Sequence, residues 1–177
     1  NILFQKLFEP SDVDVDVDAS LPVHVPVPVP VPVVFHELSA LISDEGAPSQ
    51  PIHPDSKFTD ICPLYTVFIA LQDVRTNMGP TLFLPGTNTE NAHNIMAGNA
   101  HQKDEFLANC QYKQGILKKG DCVIMDSRSL HCGDANNDSR RVLLYFTLRN
   151  PMFSLNVNDF PPEGSLWEDL KLSLSDI

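Results

Sequence analysis

Between Val25 and Val33 every second residue is a proline. Proline has no backbone N–H, so this run lacks half the donors that a ladder of strands requires and cannot lie inside a sheet. It reads as an extended, polyproline-like tether. The Val-Asp alternation just before it, Asp12 to Asp18, has the period of a strand but belongs to the same low-complexity stretch. Its Asp-x-Asp-x-Asp beginning resembles a calcium loop, yet it has neither the glycine at the sixth position nor the glutamate at the twelfth, and calcium is excluded there. Residues 1–10 place Ile2, Leu3, Phe4, Leu7 and Phe8 as a short amphipathic helix would, ending at Pro10. The chain opens on Asn1 rather than Met, as a fragment or a processed product would. The expected organisation is a helix remnant and tether over 1–33 and one folded domain over 34–177.

From Val34 onward the texture is that of short strands cut by turns. Phe35–Ser43, Gln50–Asp55, Leu64–Leu71, Thr81–Leu84, Cys122–Asp126 and Arg140–Arg149 are rich in apolar and β-branched residues. Asp44–Pro48, Thr76–Pro80, Pro85-Gly86 and the Gly/Asn/Asp stretch Gly133–Ser139 punctuate them. Asn88–Asn109 is polar with helical patches and reads as a surface excursion. The C-terminal Trp167, Leu170, Leu172 and Leu174 suit a docked helix or tail. This pattern predicts an all-β fold, a sandwich or jelly roll with few peripheral helices.

A net charge of −11 argues against nucleic acid or an anionic membrane as partner, because both attract basic patches. No apolar run approaches the roughly 18 residues of a membrane span. Cys62, Cys110, Cys122 and Cys132 show neither a CxxC pair nor zinc-like spacing. They are expected to be free thiols, which points to a reducing compartment, cytoplasmic or organellar.

The residues with chemical potential are His53, Asp55 and His131. His53 and Asp55 are two apart with Pro54 between them. Proline favours extended geometry, which puts both side chains on one face. Two histidines and one carboxylate are the donor set that holds non-haem Fe(II) on one octahedral face and leaves the other positions open. Each element of the set is common by itself: an HxD triplet arises by chance, and a lone histidine is usually a surface or core residue. The combination gains weight from Arg140 and Arg141, nine and ten residues beyond His131 across a Gly/Asn-rich reversal. A buried guanidinium requires an anionic partner, and a dicarboxylate would supply one through a bidentate pair. Cys132 reads as a small residue fitting a turn rather than a redox switch. His24, His36, His93 and His101 read as exposed or structural, Asp126 and Asp134 as turn residues, and Gln50 and Thr81 as candidates to line the site.

The chain resembles the phytanoyl-CoA dioxygenase-like Fe(II)/2-oxoglutarate oxygenases over about residues 37 to 151. The resemblance rests on Gln50-Pro-Ile-His-Pro-Asp55, Thr66–Val74, Met78–Thr87, and His131-Cys-Gly-Asp-Ala-Asn136 followed by Arg140-Arg141. It implies a double-stranded β-helix, the cupin-like jelly roll, with His53, Asp55 and His131 as iron ligands. It implies an arginine on the last strand that grips the distal carboxylate of 2-oxoglutarate. Either Arg140 or Arg141 fills that role; strand alternation places Arg141 with Tyr145 and Thr147, which favours Arg141. The implied reaction consumes O2 and 2-oxoglutarate, releases succinate and CO2 and hydroxylates a small organic substrate. Related halogenases carry a small residue where Asp55 stands, so the carboxylate implies hydroxylation. Where family members commonly read Ser-His after Pro-Gly, this chain reads Thr87-Asn88, and the segment before Glu37 does not match. Two other readings remain: a catalytically silent jelly-roll binding protein, and a cupin-like metalloprotein without a co-substrate, which would have no use for the arginine.

Overall fold

The computed structural model describes residues 34–150 and 152–153. The N-terminal helix and tether and the C-terminal tail expected from the sequence lie outside the described residues. Among the described residues there are seven strands: β1 (Val34–Ser43), β2 (Leu64–Ala70), β3 (Thr81–Phe83), β4 (Lys113–Gln114), β5 (Cys122–Asp126), β6 (His131–Gly133) and β7 (Arg141–Arg149). Two helices, α1 (Glu90–Met96) and α2 (Ala100–Asn109), fall between β3 and β4. One sheet has the order β1-β7-β2-β5 and the other β4-β3-β6, and their strand pairs are antiparallel.

The expectation of an all-β double-stranded β-helix, or jelly roll, is not met. The described residues form a mixed α/β arrangement of two small separate sheets, four- and three-stranded, which do not close into a barrel. Two local causes are visible. The polar segment after Asn88 is helical because Thr89 and Asn99 each cap a helix, accepting from Ala92 N (3.3 Å) and Gln102 N (3.0 Å). The segment Gln50–Asp55, expected as a strand, contributes only an isolated bridge at His53. Turn residues on both sides, Pro51 and Pro54 among them, limit its ladder.

Strand alternation sorts the four-stranded sheet into two faces. On one face of β7 stand Arg141, Leu143, Tyr145 and Thr147, opposite Ser43, Leu41, Ser39 and Glu37 of β1. On its other side the same face continues through Ala70, Phe68 and Thr66 of β2, then Val123 and Met125 of β5. Phe68, Ala70, Met125 and Leu143 of this face join Val74 in a buried apolar cluster, with Leu41, Phe83, Leu117 and Tyr145 packed against it. Fully burying each of Phe68, Val74, Met125 and Leu143 contributes about 1.5–3 kcal/mol by leaving water. Phe83 belongs to the three-stranded sheet, and its ring lies 6.2 Å from that of Phe68. The two sheets therefore meet across this face. A register shift between Phe35 and Glu37 inserts His36 as an extra residue in β1. That bulge explains how two consecutive residues, His36 and Glu37, are both buried.

Gly79 closes the turn into β3 with φ +63°, and a Cβ there would stand 2.5 Å from the Asp134 carbonyl oxygen. Only glycine lets the two loops approach so closely. No helix among the described residues is long and apolar enough to cross a membrane. All four cysteines are free, as expected.

Candidate metal centre

His131 opens β6, and His53 is tied beside it by two backbone hydrogen bonds, N–H to O in each direction at 2.9 Å. The backbone N–H groups of Asp55 and Ser56 both donate to the Ser127 carbonyl, at 2.9 and 3.0 Å. The Gln50 N–H donates to Gly133 O at 2.8 Å, and its side-chain oxygen accepts from Gly133 N at 2.9 Å. The HxD segment is thus stitched at both ends to the stretch that carries His131. Pairing His53 with His131 puts their rings on one side, with centroids 4.7 Å apart.

The donor atoms of His53, Asp55 and His131 lie within 4.8 Å of one another, and they are a group of this kind that the described residues bring together. Asp55 Oδ1 is 3.4 Å from His131 Nε2 and 3.9 Å from His53 Nε2. Around a first-row metal with bonds of about 2.1 Å, donors on neighbouring octahedral corners stand roughly 3 Å apart. Each separation exceeds that by less than about 1 Å, a shift that side-chain torsions absorb. The histidine tautomers also fit. His53 Nδ1 lies 2.8 Å from Pro51 O and His131 Nδ1 3.1 Å from Ser129 O. A carbonyl oxygen only accepts, so each Nδ1 carries the hydrogen and each Nε2 keeps its lone pair. His131 is buried, which opposes its charged form, but the hydrogen bond and charge of Asp55 outweigh this and raise its pKa. The carboxylate that draws a proton to Nε2 would equally draw a divalent cation.

The two arginines have different surroundings. Arg140 is exposed and its Nε donates to Asp44 at 2.5 Å. Arg141 is 3% exposed, and its Nε and Nη1 have no hydrogen-bond partner among the described residues. Burial alone lowers its pKa. It shares the inward face of β7 with Tyr145 and Thr147, whereas Arg140 lies just before the strand. Thr81 is buried; Gln50 braces Gly133 rather than standing free. The Cys132 thiol is buried, and burial followed by the nearby Asp134 raises its pKa, so it is an unreactive packing residue.

Sequence reading missed the group that holds the loop behind Asp55. Arg128 is buried, and its guanidinium donates to Asp126 (2.6 Å), Thr59 O (2.6 Å) and Asp60 O (3.3 Å) while lying 5.8 Å from the Phe58 ring. Asp126 also accepts from Asn88 at 3.1 Å. Burial opposes the Asp126 carboxylate, yet the hydrogen bonds from Arg128 hold its pKa below the usual range. The Asp-x-Arg spacing at the end of a strand was a signal for this ion pair. Its role in anchoring residues 58–60 needed the fold.

Residues 18–142 match the family described as phytanoyl-CoA dioxygenase (PhyH). No curated protein matches the chain. Among solved structures the chain is similar to the non-heme alpha ketoglutarate dependent carbocyclase SnoK from nogalamycin biosynthesis (17% identity, TM-score 0.59, covering 73% of this chain and 56% of that one). It is similar to EctD from S. alaskensis with bound Fe (12% identity, TM-score 0.60, 74% and 50%). It is also similar to HygX from Streptomyces hygroscopicus with nickel and 2-oxoglutarate bound (14% identity, TM-score 0.52, 70% and 60%). The chain therefore spans only about half to three fifths of the length of these proteins, and at such identities the likeness concerns the fold. The family match covers most of the sequence and contains His53, Asp55 and His131, so the chain belongs to the phytanoyl-CoA dioxygenase family.

Proposed function

We propose that the protein is an Fe(II)- and 2-oxoglutarate-dependent dioxygenase that hydroxylates a small organic molecule, with release of succinate and CO2. The observation that carries this reading is the convergence of two histidine Nε2 atoms and one carboxylate on one point, with both Nδ1 atoms already committed to backbone carbonyls. His53, Asp55 and His131 would hold the metal through one face and leave its remaining positions to co-substrate and O2. Arg141 would grip the distal carboxylate of 2-oxoglutarate: it is a buried guanidinium with two unpaired nitrogens, which a carboxylate satisfies in bidentate fashion. Arg140, spent on Asp44 at the surface, has no such role. When bound, Fe(II) with 2-oxoglutarate supplies activation of O2 coupled to loss of CO2. With Asp55 completing the ligand set, hydroxylation is the outcome this chain favours. Similar structures described with iron, or with nickel and 2-oxoglutarate, support the same assignment. A metal site without co-substrate would leave the orphaned Arg141 without a reason.

Anaerobic titration of the protein with Fe(II) and 2-oxoglutarate tests this directly. The weak visible charge-transfer band of the chelate is expected in wild type and is expected to vanish in His131→Ala. Absence of the band in wild type removes the oxygenase reading, and its retention in His131→Ala removes His131 from the ligand set.

A further inference from the structure

Among the described residues, the polar partners of the Asp55 side-chain oxygens are the two imidazoles, at 3.4 Å from His131 Nε2 and 3.9 Å from His53 Nε2. The Asp55 side chain is also 36% exposed, so packing does not confine it. Its place in the donor set is therefore inherited from the backbone of Asp55 and Ser56. That backbone is held at few points. The segment Gln50–Asp55 joins no ladder beyond the bridge at His53. Past the bridge, the Asp55 and Ser56 amides both donate to one atom, the Ser127 carbonyl oxygen. Two hydrogen bonds that share an acceptor leave the segment free to turn about it. One further contact does not pass through that oxygen: Ser56 Oγ and Ser127 Oγ lie 2.8 Å apart and share a hydrogen. It blocks the turn.

The anchor is stiff where the segment is not. Ser127 is fully buried, and its N–H donates to Leu64 O at 3.1 Å, where β2 starts. It stands between Asp126 and Arg128, whose ion pair closes at 2.6 Å. Arg128 in turn holds the Thr59 and Asp60 carbonyls, a few residues beyond Ser56. Alanine would fill the Ser127 position without a hydroxyl to satisfy; serine brings one that is costly to bury unpaired, and Ser56 pairs it. A turn of the segment would swing the Asp55 carboxylate at a site where its distances to both imidazoles already exceed the roughly 3 Å of neighbouring octahedral donors.

We propose that Ser56 and Ser127 are positioning residues of the metal centre: their hydroxyl pair fixes the Asp55 carboxylate against the two histidines, and metal affinity depends on that pair. The inference rests on the reading of His53, Asp55 and His131 as metal ligands and adds to it two residues that are not ligands. Outer partners of this kind set the orientation of a ligand rather than its identity. His53 and His131 each have an Nδ1 bond to a backbone carbonyl for this purpose, and the serine pair does the same for the carboxylate through the chain.

The test titrates the full chain with Co(II), whose visible d–d bands report binding without co-substrate, and separately with Fe(II) and 2-oxoglutarate for the chelate band. Absence of Co(II) bands in wild type overturns the three-donor site and this inference with it. Co(II) bands without the chelate band count against the oxygenase reading alone and leave the affinity comparison in force. Ser56→Ala is expected to weaken Co(II) binding by about tenfold or more, the usual cost of losing an outer partner. It should also lower the melting temperature of the metal-free protein, because Ser127 Oγ is left buried without a partner. Ser56→Ala combined with Ser127→Ala removes both hydroxyls, so its melting temperature should return toward wild type while its Co(II) affinity stays low. Ser56→Thr keeps the hydroxyl and should restore wild-type affinity. Affinity that recovers together with stability in the double variant makes the pair merely structural and overturns the proposal. So does an unchanged Co(II) affinity in Ser56→Ala.

Discussion

Replacing Arg141 by methionine should move two properties in opposite directions. In the protein without co-substrate, the Arg141 guanidinium is 3% exposed with Nε and Nη1 unpaired. A buried charge without a partner weighs against the folded state, and a hydrophobic side chain of similar length relieves this, typically by about 1–4 kcal/mol. Arg141→Met is therefore expected to be more stable than wild type in urea denaturation without 2-oxoglutarate. With 2-oxoglutarate the balance reverses. In the proposed role, two charge-assisted hydrogen bonds from Arg141 to the distal carboxylate would be worth about 1.5–3 kcal/mol each, so losing the pair should weaken binding by roughly a hundredfold or more. Titration of the charge-transfer band at fixed Fe(II) reads that affinity. Arg140→Ala is the control: its side chain is solvated and paired with Asp44 at the surface, and both readouts should stay near wild type. The reasoning fails if Arg141→Met is less stable and binds 2-oxoglutarate undiminished, or if the affinity loss appears in Arg140→Ala instead.

Arg128→Met should destabilise the protein by roughly 2–4 kcal/mol in urea denaturation, since it leaves the half-buried Asp126 carboxylate without its main partner and frees the Thr59 and Asp60 carbonyls. Gly79→Ala forces a Cβ against the Asp134 carbonyl at a positive φ, and a loss of roughly 2 kcal/mol or more is expected from thermal melting. His36 is held at a pKa of about 4, by burial first and then by the Arg149 charge, against about 6.5 when unfolded. Its folded value is depressed, so its contribution is complete above about pH 6.5 and is lost as pH falls toward 4, by about 3 kcal/mol in all. His36→Phe should flatten the stability profile across that window; an unchanged slope would show that His36 is not the group responsible.

Much of the secondary structure was legible because strand signals are local. Val34–Ser43, Leu64–Ala70, Cys122–Asp126 and Arg141–Arg149 are apolar or β-branched runs between turn residues, and their positions follow from that alone. The short strand His131–Gly133 was not legible, because three residues carry no period and its ladder comes from Thr81–Phe83 far upstream. The segment from Asn88 to Asn109 held its helices in two capping side chains, Thr89 and Asn99, rather than in an apolar stripe. Closure of the sheets is a long-range property that no local pattern encodes, and the jelly-roll expectation failed there.

By itself the sequence determined the candidate donors. His53-Pro-Asp55 sets two candidate donors on an extended backbone, and His131 supplies a third, with two arginines nine and ten residues on. What only the tertiary structure decided was convergence and environment. The His53–His131 bridge brings together groups that are 78 positions apart in the chain (131 minus 53). The Ser127 carbonyl fixes Asp55, and two backbone carbonyls set the histidine tautomers. The fold also separated two adjacent arginines, one spent on a surface carboxylate and one buried without a partner. Adjacent residues at a strand's start have nearly the same sequence context, but their surroundings are set by which side of the sheet is covered.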